Sequence, residues 1–268
     1  MKIVTWNVNS IRSRIPHLMN FIKNENPDVV LLQELKCTND QFPFFEFETM
    51  GYNIEVFGQK GSNGVAIFSK FRLEEIKKEY FESNENEARY IEGCFCYKDE
   101  YYKVASIYVP NGGAKVNDDI MLPITKTDTF CKKMKFCDLL KTKFLNSINS
   151  GEIAFYGGDY NVCPSLNIDV YSVKKDGEIT NTGEERQKFK ELLDIGMCDV
   201  WRQLNPALKE YSWWGYRPST MFEKNQGYRL DAILTSLKTQ ERVKNAYICK
   251  WLRAEEKPSD HVALVMEV

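Results

Sequence analysis

The sequence predicts two packed β-sheets flanked by helices, an α/β sandwich, and three observations carry that reading. Short runs rich in Val, Ile, Tyr and Phe, bounded by Gly, Pro, Asn or Asp, recur from end to end. Far fewer stretches space their apolar residues at helical intervals. No linker, repeat or low-complexity tract interrupts the 268 residues, a length that suits one domain, 1–268, with a large core.

The first strand is read at 2–6. A helix follows at 11–25, with Ile11, Ile15, Leu18, Phe21 and Ile22 close to helical spacing and Ser10 as its N-cap. Strands are then expected at 28–33, 52–57, 64–69, 89–96 and 102–109. The stretch 128–148 carries Phe130, Met134, Cys137, Leu140, Phe144, Leu145 and Ile148 on one helical face. A strand at 153–157 precedes a third helix, which begins after Thr182, where Thr182-Gly183-Glu184-Glu185 fits a capping box and Phe189, Leu192 and Leu193 form the apolar face. The remaining strands fall at 229–235, 245–251 and 262–267.

Composition narrows the class. Hydrophobic residues make up 43% and charged residues 28%, an ordinary globular balance. No apolar run approaches the ~20 residues of a membrane span, and the N-terminus reads as a strand where a signal peptide would need an apolar core, so a cytoplasmic protein without a membrane partner is expected. Eight cysteines without a Cys-x-x-Cys pair, beside only two histidines, argue against a zinc cluster and for small buried side chains in a reducing compartment. The net charge of -2 does not announce a nucleic-acid binder, but a local basic patch or a bound divalent ion can supply what the total lacks.

Chemistry is concentrated where polar residues end the strands. Six such endings occur: Asn7 and Asn9, Glu34, Tyr108 before Pro110-Asn111, Asp159 with Asn161, Asp231, and Asp260-His261. Glu34 and Asp260 are hard oxygen ligands suited to Mg²⁺, or Mn²⁺ in its place. Asp159 is placed to position or deprotonate a water. Asn7 and Asn161 offer amides to that water and to a phosphate oxygen. His261 can donate to a phosphate oxygen, with Asp231 fixing its tautomer. Together they suit metal-assisted, in-line hydrolysis of a phosphodiester. The other histidine, His17, lies inside the first helix and reads as structural or surface.

These motifs resemble exonuclease III and the related abasic-site endonucleases of the endonuclease/exonuclease/phosphatase superfamily. The carriers are Trp6-Asn7-Val8-Asn9 with Arg12, Leu32-Gln33-Glu34-Leu35-Lys36, Gly64-Val65-Ala66-Ile67, Tyr108-Val109-Pro110-Asn111-Gly112, Gly158-Asp159-Tyr160-Asn161-Val162, Asn167-Ile168-Asp169-Val170, Glu184-Glu185-Arg186-Gln187, Trp213-Trp214-Gly215-Tyr216-Arg217, Arg229-Leu230-Asp231 and Lys257-Pro258-Ser259-Asp260-His261. The resemblance implies a four-layered α/β sandwich: two mixed β-sheets packed face to face, flanked by helices, with the site where the sheets meet at one end. It implies Glu34 as the main metal ligand, Asn7 nearby, and Asp260 near a second metal position. It implies that Tyr108, Asn161 and His261 hold the scissile phosphate, that Asp231 pairs with His261, and that Arg12 and Asn111 contact substrate. The aromatic segment 211–217, with Trp213 foremost, and Leu230 are implied to wall a pocket for a flipped-out abasic sugar or a strand end. Asn9-Ser10 departs from relatives that have an acidic or amide residue followed by Gly.

The resulting expectation is a monomeric, Mg²⁺-dependent repair nuclease acting on double-stranded DNA with abasic sites or 3′ ends. It would cut 5′ to an abasic site and remove 3′-terminal nucleotides or blocking groups. Lys115, Lys126 and Lys174-Lys175 are candidates to track phosphates. Two alternatives stay open: a same-fold phosphoesterase for a small phosphoester or phospholipid, and a DNA-binding module with a dead site.

Overall fold

Alternation along the strands decides the layers. In the computed structural model, which describes residues 1–84, 86–113 and 123–268, the strands in chain order are β1 (Lys2–Asn7), β2 (Val29–Gln33), β3 (Asn53–Phe57), β4 (Val65–Ser69), β5 (Glu74–Glu79), β6 (Tyr90–Tyr97), β7 (Glu100–Tyr108), β8 (Ile153–Asp159), β9 (Met197–Asp199), β10 (Asp231–Ser236), β11 (Asn245–Ile248) and β12 (Leu264–Glu267). The helices are α1 (Ile15–Glu25), α2 (Phe44–Glu48), α3 (Asp128–Ser150), α4 (Gly183–Asp194), α5 (Val200–Leu204) and α6 (Leu237–Gln240). The strands form two six-stranded sheets, ordered β11-β12-β1-β2-β4-β3 and β5-β6-β7-β8-β10-β9. Each is mixed: β1 with β2 and β7 with β8 run parallel, and the other pairs run antiparallel.

The two parallel pairs sit at the middle of their sheets and face each other. Every second residue of β1, β2, β7 and β8 therefore points at the opposite sheet. One core lies between the sheets and includes Leu31, Val104, Phe155 and Ile233. The alternate residues of β7, β8 and β10, including Ile107, Tyr156 and Leu234, pack with Leu140 and Phe144 of α3 and Phe189 and Leu192 of α4. On the far side, Trp6 of β1 meets Phe21 of α1, with ring centroids 5.6 Å apart.

Toward the ends of the parallel pairs the inward side chains become polar. Gln33 donates to Ser106 Oγ (2.9 Å) and to Thr5 Oγ1 (3.1 Å), and Ser106 donates to the Leu32 carbonyl (2.7 Å), so the sheets are joined by hydrogen bonds. Gly157 lets them approach here: a Cβ on it would lie 2.6 Å from Leu31 Cδ1 and 3.1 Å from Thr5 Cβ. Gly157→Val is accordingly expected to destabilise the fold by about 1–3 kcal/mol, the usual cost of overpacking. An unchanged urea midpoint would mean that the sheets can part without loss.

Several expectations are corrected. The first helix starts at Ile15, not near 11, and Ser10 is not its cap; Arg14 holds that position. Residues 8–11 are instead bonded across to the end of β2: Ser10 N–H donates to the Glu34 carbonyl (2.8 Å) and Ile11 N–H to that of Leu35 (3.1 Å). The strand read at 245–251 ends at Ile248, and 250–254 is a 3₁₀ turn. Two strands escaped the reading. Glu74–Glu79 is an edge strand with little apolar content, held by its ladder to β6 and by pairs such as Lys78–Glu55 (3.0 Å). Its charges are what keeps an open edge from pairing with another chain. Met197–Asp199 is too short to show a period. Five cysteines are buried as expected, but Cys94 is half-buried and Cys96 and Cys131 are exposed. The capping box at Thr182 is present, with Glu185 N–H donating to Thr182 Oγ1 (3.2 Å). No helix among the described residues is long and apolar enough to cross a membrane.

Candidate active site

The strand register brings the polar endings together. Tyr108 lies opposite Asp159, and Asp159 opposite Asp231, across β7, β8 and β10. Asn7 and Gln33 are partners on the facing sheet. Asp260-His261 enters beside them because Trp6 Nε1 donates to the His261 carbonyl (3.1 Å) and Ser259 Oγ donates to the Asn7 carbonyl (2.8 Å).

Asn7 is central. Its Nδ2 donates to Glu34 Oε1 and Asp159 Oδ2, each at 3.0 Å, and lies 3.4 Å from His261 Nε2. Its Oδ1 accepts from the Asn9 N–H (3.0 Å). Two carboxylates draw the donor end of the amide inward, so in this arrangement Asn7 joins the acids as a donor and does not face Glu34 with its oxygen.

Glu34 stands just past β2 with φ 54°, in the left-handed region, as does Asn161 with φ 50°. Such a backbone costs on the order of 1–3 kcal/mol for a residue other than glycine, and neighbouring structure must hold it. Around Glu34 the hold comes from Leu35 N–H to the Gly64 carbonyl (3.1 Å), Lys36 N–H to that of Asn63 (3.0 Å), and the Ser10 bond. The Glu34 carboxylate accepts from Tyr108 Oη on Oε1 (2.7 Å), and Lys36 Nζ lies 2.7 Å from Oε2. Burial pushes its acidity the other way, but the Lys36 charge and hydrogen bonds from Lys36, Asn7 and Tyr108 hold the group below its ordinary range. Burial and the Glu34 charge raise the Tyr108 hydroxyl well above its ordinary range, so it remains a donor.

Asp159 is fully enclosed. Oδ1 accepts from the Asn161 N–H (2.9 Å), and Asn161 Nδ2 reaches Oδ2 (3.3 Å) and the Val109 carbonyl (2.9 Å). Burial first, then the charge of Asp231, push Asp159 up to about 7 against the pull of His261 and these hydrogen bonds. His261 Nδ1 is 2.8 Å from Asp231 Oδ2, and its Nε2 is 3.6 Å from Asp159 Oδ2. Burial opposes its protonation, yet the charges of Asp231 and Asp159 raise it to about 10. These charges favour the imidazolium, whose Nδ1–H meets Asp231 while Nε2 faces Asp159.

Asp231 is held from behind, where Ser212 Oγ accepts from the N–H groups of Leu230 (3.0 Å) and Asp231 (3.1 Å). Its Oδ1 is buried and has no hydrogen-bond partner among the described residues. Asp260 is half-buried, with Oδ1 taken by Asn9 Nδ2 (2.8 Å) and Oδ2 by Trp213 Nε1 (3.0 Å). Trp213 stacks on Tyr228 at 5.2 Å and 17°. Leu230 packs with Val170 and Cys163 beneath these rings. Trp214 and Tyr211 are core side chains, which corrects the view of 211–217 as one wall: Trp213 and Tyr216 are its aromatic residues that reach the surface. Asn111 is exposed and donates to Asn161 Oδ1 (3.1 Å). Arg12 is exposed in the turn that follows residues 8–11. His17 lies away from the site, 2.8 Å from the Glu256 carbonyl. Lys115 falls outside the described residues, and Lys175 pairs with Glu178 (2.8 Å).

Sequence reasoning did not assign Lys36 or Asn9, although both lie inside the quoted motifs. Lys36 Nζ donates to Asn9 Oδ1 (2.5 Å) as well as pairing with Glu34, and so links the Glu34 and Asp260 carboxylates through Asn9. A lysine two residues beyond an acid at a strand end was the available signal.

A divalent ion has two acidic groups to choose from. Asp159, Asp231 and His261 offer atoms within 4.8 Å of one another. Asp231 and His261 are, however, already bonded to each other, and a cationic imidazolium repels a metal. Glu34 is the better seat: a hard oxygen donor, reachable from solvent, where an ion need only displace the flexible Lys36 ammonium from Oε2.

Fold and site together define a phosphoester hydrolase of the two-sheet class. Residues 4–261 match the model of the Endonuclease/Exonuclease/phosphatase family. Exodeoxyribonuclease III of Haemophilus influenzae is 32% identical, covering 100% of this chain and 99% of that protein. Among solved structures, an AP endonuclease from Archaeoglobus fulgidus superposes with a TM-score of 0.88 at 32% identity, over 100% of this chain and 98% of that one. A 3′-5′ exonuclease from Neisseria meningitidis gives 0.89 at 30%, over 100% and 99%. The chain belongs to the endonuclease/exonuclease/phosphatase family, on its exonuclease III and AP endonuclease side.

Proposed function

We propose that this protein is a Mg²⁺-dependent DNA repair nuclease that hydrolyses the phosphodiester 5′ to abasic sites and trims 3′ ends. The observation that carries the reading is the convergence of Glu34, Asp159 and the Asp231–His261 pair around the Asn7 amide. Its end-to-end similarity to nucleases named for these activities supports it. Mg²⁺ held by Glu34, with Asp260 as a second carboxylate, would neutralise phosphate charge. Asp159 aligns the attacking water and takes its proton, a role that suits a group held near neutrality. His261 donates from Nε2 to a phosphate oxygen, and Asn161, Asn7 and Tyr108 supply further donors. Their donors are fixed before substrate arrives, so no reorganisation is needed as charge develops. Trp213 forms one wall for an extruded sugar, with buried Leu230 packed behind it, while Arg12 and Asn111 lie where the flanking strand would pass. The protein acts as a cytosolic monomer in this reading.

An end-labelled duplex with one abasic analogue, incubated with Mg²⁺ or with EDTA beside an intact duplex, tests it. Incision at the analogue only with metal is expected. Turnover of a small phosphodiester with no attack on either duplex would move the assignment to a small-substrate phosphoesterase. Trp213→Ala is expected to raise KM for the abasic duplex about tenfold, from lost stacking and wall area. Because Trp213 Nε1 also holds Asp260 Oδ2, the Mg²⁺ midpoint should shift as well, but by less than KM; an equal shift in both would make Trp213 a residue that acts only through Asp260.

A further inference from the structure

Lys133 lies on α3, on the opposite side of the β7 and β8 ends from the reacting centre, and its side chain is completely buried. A lysine is almost never enclosed unless its charge is met. Here all three of its donors are used. Nζ donates to the main-chain carbonyls of Asn111 (3.0 Å) and Asn161 (2.7 Å) and to the Glu185 carboxylate, which is equally buried. Glu185 is fixed in turn: it accepts from the N–H groups of Thr180 (3.1 Å) and Thr182 (2.9 Å) and closes the capping box of α4. Beside this contact the chain turns through Gly112 with φ 81°, where a Cβ would lie 2.8 Å from Lys133 Cδ.

The two carbonyls belong to the two asparagines assigned to the substrate, one from each central strand end of the second sheet. Asn161 is in a left-handed conformation, and its side chain reaches Asp159, so its backbone must be held for that side chain to keep its place. Asn111 is exposed and touches Asn161 through its own amide. A buried ion pair is poor evidence for stability, because an apolar pair of similar volume often serves the fold as well. We propose that Lys133, anchored by Glu185, is a positioning residue for the hydrolysis: one ammonium fixes the backbone of Asn111 and Asn161 and so the placement of their amides on the phosphate. This rests on the nuclease reading above.

The test is the double substitution Lys133→Met with Glu185→Gln, which removes both charges together and leaves an amide oxygen for the Thr182 N–H. Gly112→Ala crowds the same contact from the buried turn at 112. Each is compared with the parent chain by thermal melting and by kcat and KM on the abasic duplex. For the double variant the expected result is a melting temperature close to the parent's, KM within about threefold, and kcat lower by about ten- to a hundredfold, as for a small misplacement of aligned groups. Gly112→Ala should show the same split between kcat and KM on a lower melting temperature, because Ala is strained at φ 81°. If the double variant does not fold, Gly112→Ala decides by its kcat and KM. Folded variants with parental kcat overturn the proposal, and so does a loss of kcat matched by equal losses in KM and melting temperature, which marks a brace for the fold. A parent that cleaves no DNA overturns the nuclease reading and this inference with it. A parent that cleaves while the folded variants match it overturns the inference alone.

Discussion

Asp231→Asn is expected to lower kcat by about 10²–10³-fold, the usual loss for one donor to a developing oxyanion, with KM nearly unchanged. Asn has the same shape, so the change is one of charge. Asp231 is the nearest of the anions that keep buried His261 protonated, at 2.8 Å from Nδ1. Without it, burial dominates and the imidazole becomes neutral at neutral pH. The Asn amide would then donate to Nδ1, which forces the remaining ring proton off that nitrogen or reverses the pairing. Either way the donor at Nε2 is weakened where the phosphate needs it. Ser212 still holds the backbone of Leu230 and Asp231, so binding should survive. Steady-state kinetics on the abasic duplex, with binding measured separately under EDTA, separate the two effects. A loss confined to KM would sink the role given to Asp231.

Glu34→Ala is expected to move the metal requirement furthest. The midpoint for Mg²⁺ should rise by more than the roughly 10–100-fold that losing an outer-shell partner costs. Mn²⁺ binding followed by electron paramagnetic resonance should weaken in step, without any turnover being measured. The substitution also leaves Tyr108 Oη, Asn7 Nδ2 and the Lys36 ammonium without their common acceptor. Glu34→Gln keeps an oxygen for Tyr108 and should recover part of the folding stability but little of the metal affinity. An unshifted Mn²⁺ titration in Glu34→Ala would point to the Asp159–Asp231–His261 group instead, whose atoms lie within 4.8 Å of one another.

Much of this arrangement was readable from residue order. Long apolar strands show their period directly, so β1, β2, β4, β6, β7 and β8 were found within a residue or two of their ends. The acids and amides were legible because they interrupt those strands abruptly: a Glu after Val-Val-Leu-Leu-Gln has little reason to be there except exposure or chemistry. The charged edge strand at 74–79 was invisible for the opposite reason, since its pairing is made by backbone bonds and its side chains carry no pattern. The start of α1 was misread because Ser10 looks like a cap, whereas cross-chain bonds to Glu34 and Leu35 claim the backbone first.

By itself, then, the residue pattern determined the class of fold, the family resemblance and the cast of side chains at the strand ends, because those depend on local periodicity and on chemistry carried by single residues. The tertiary structure alone decided how the cast is arranged. Asn7 turns its donor end to the acids because two carboxylates from different strands meet it within 3.0 Å. Asp260 is occupied by Asn9 and Trp213, and Trp214 is lost to the core while Trp213 is not. Lys133, which no motif singled out, and Glu185, which read as part of a capping box, come together across 52 residues to hold two asparagine carbonyls. Such roles follow from distances between segments remote in the chain, and a linear pattern does not contain those distances until the two sheets have packed.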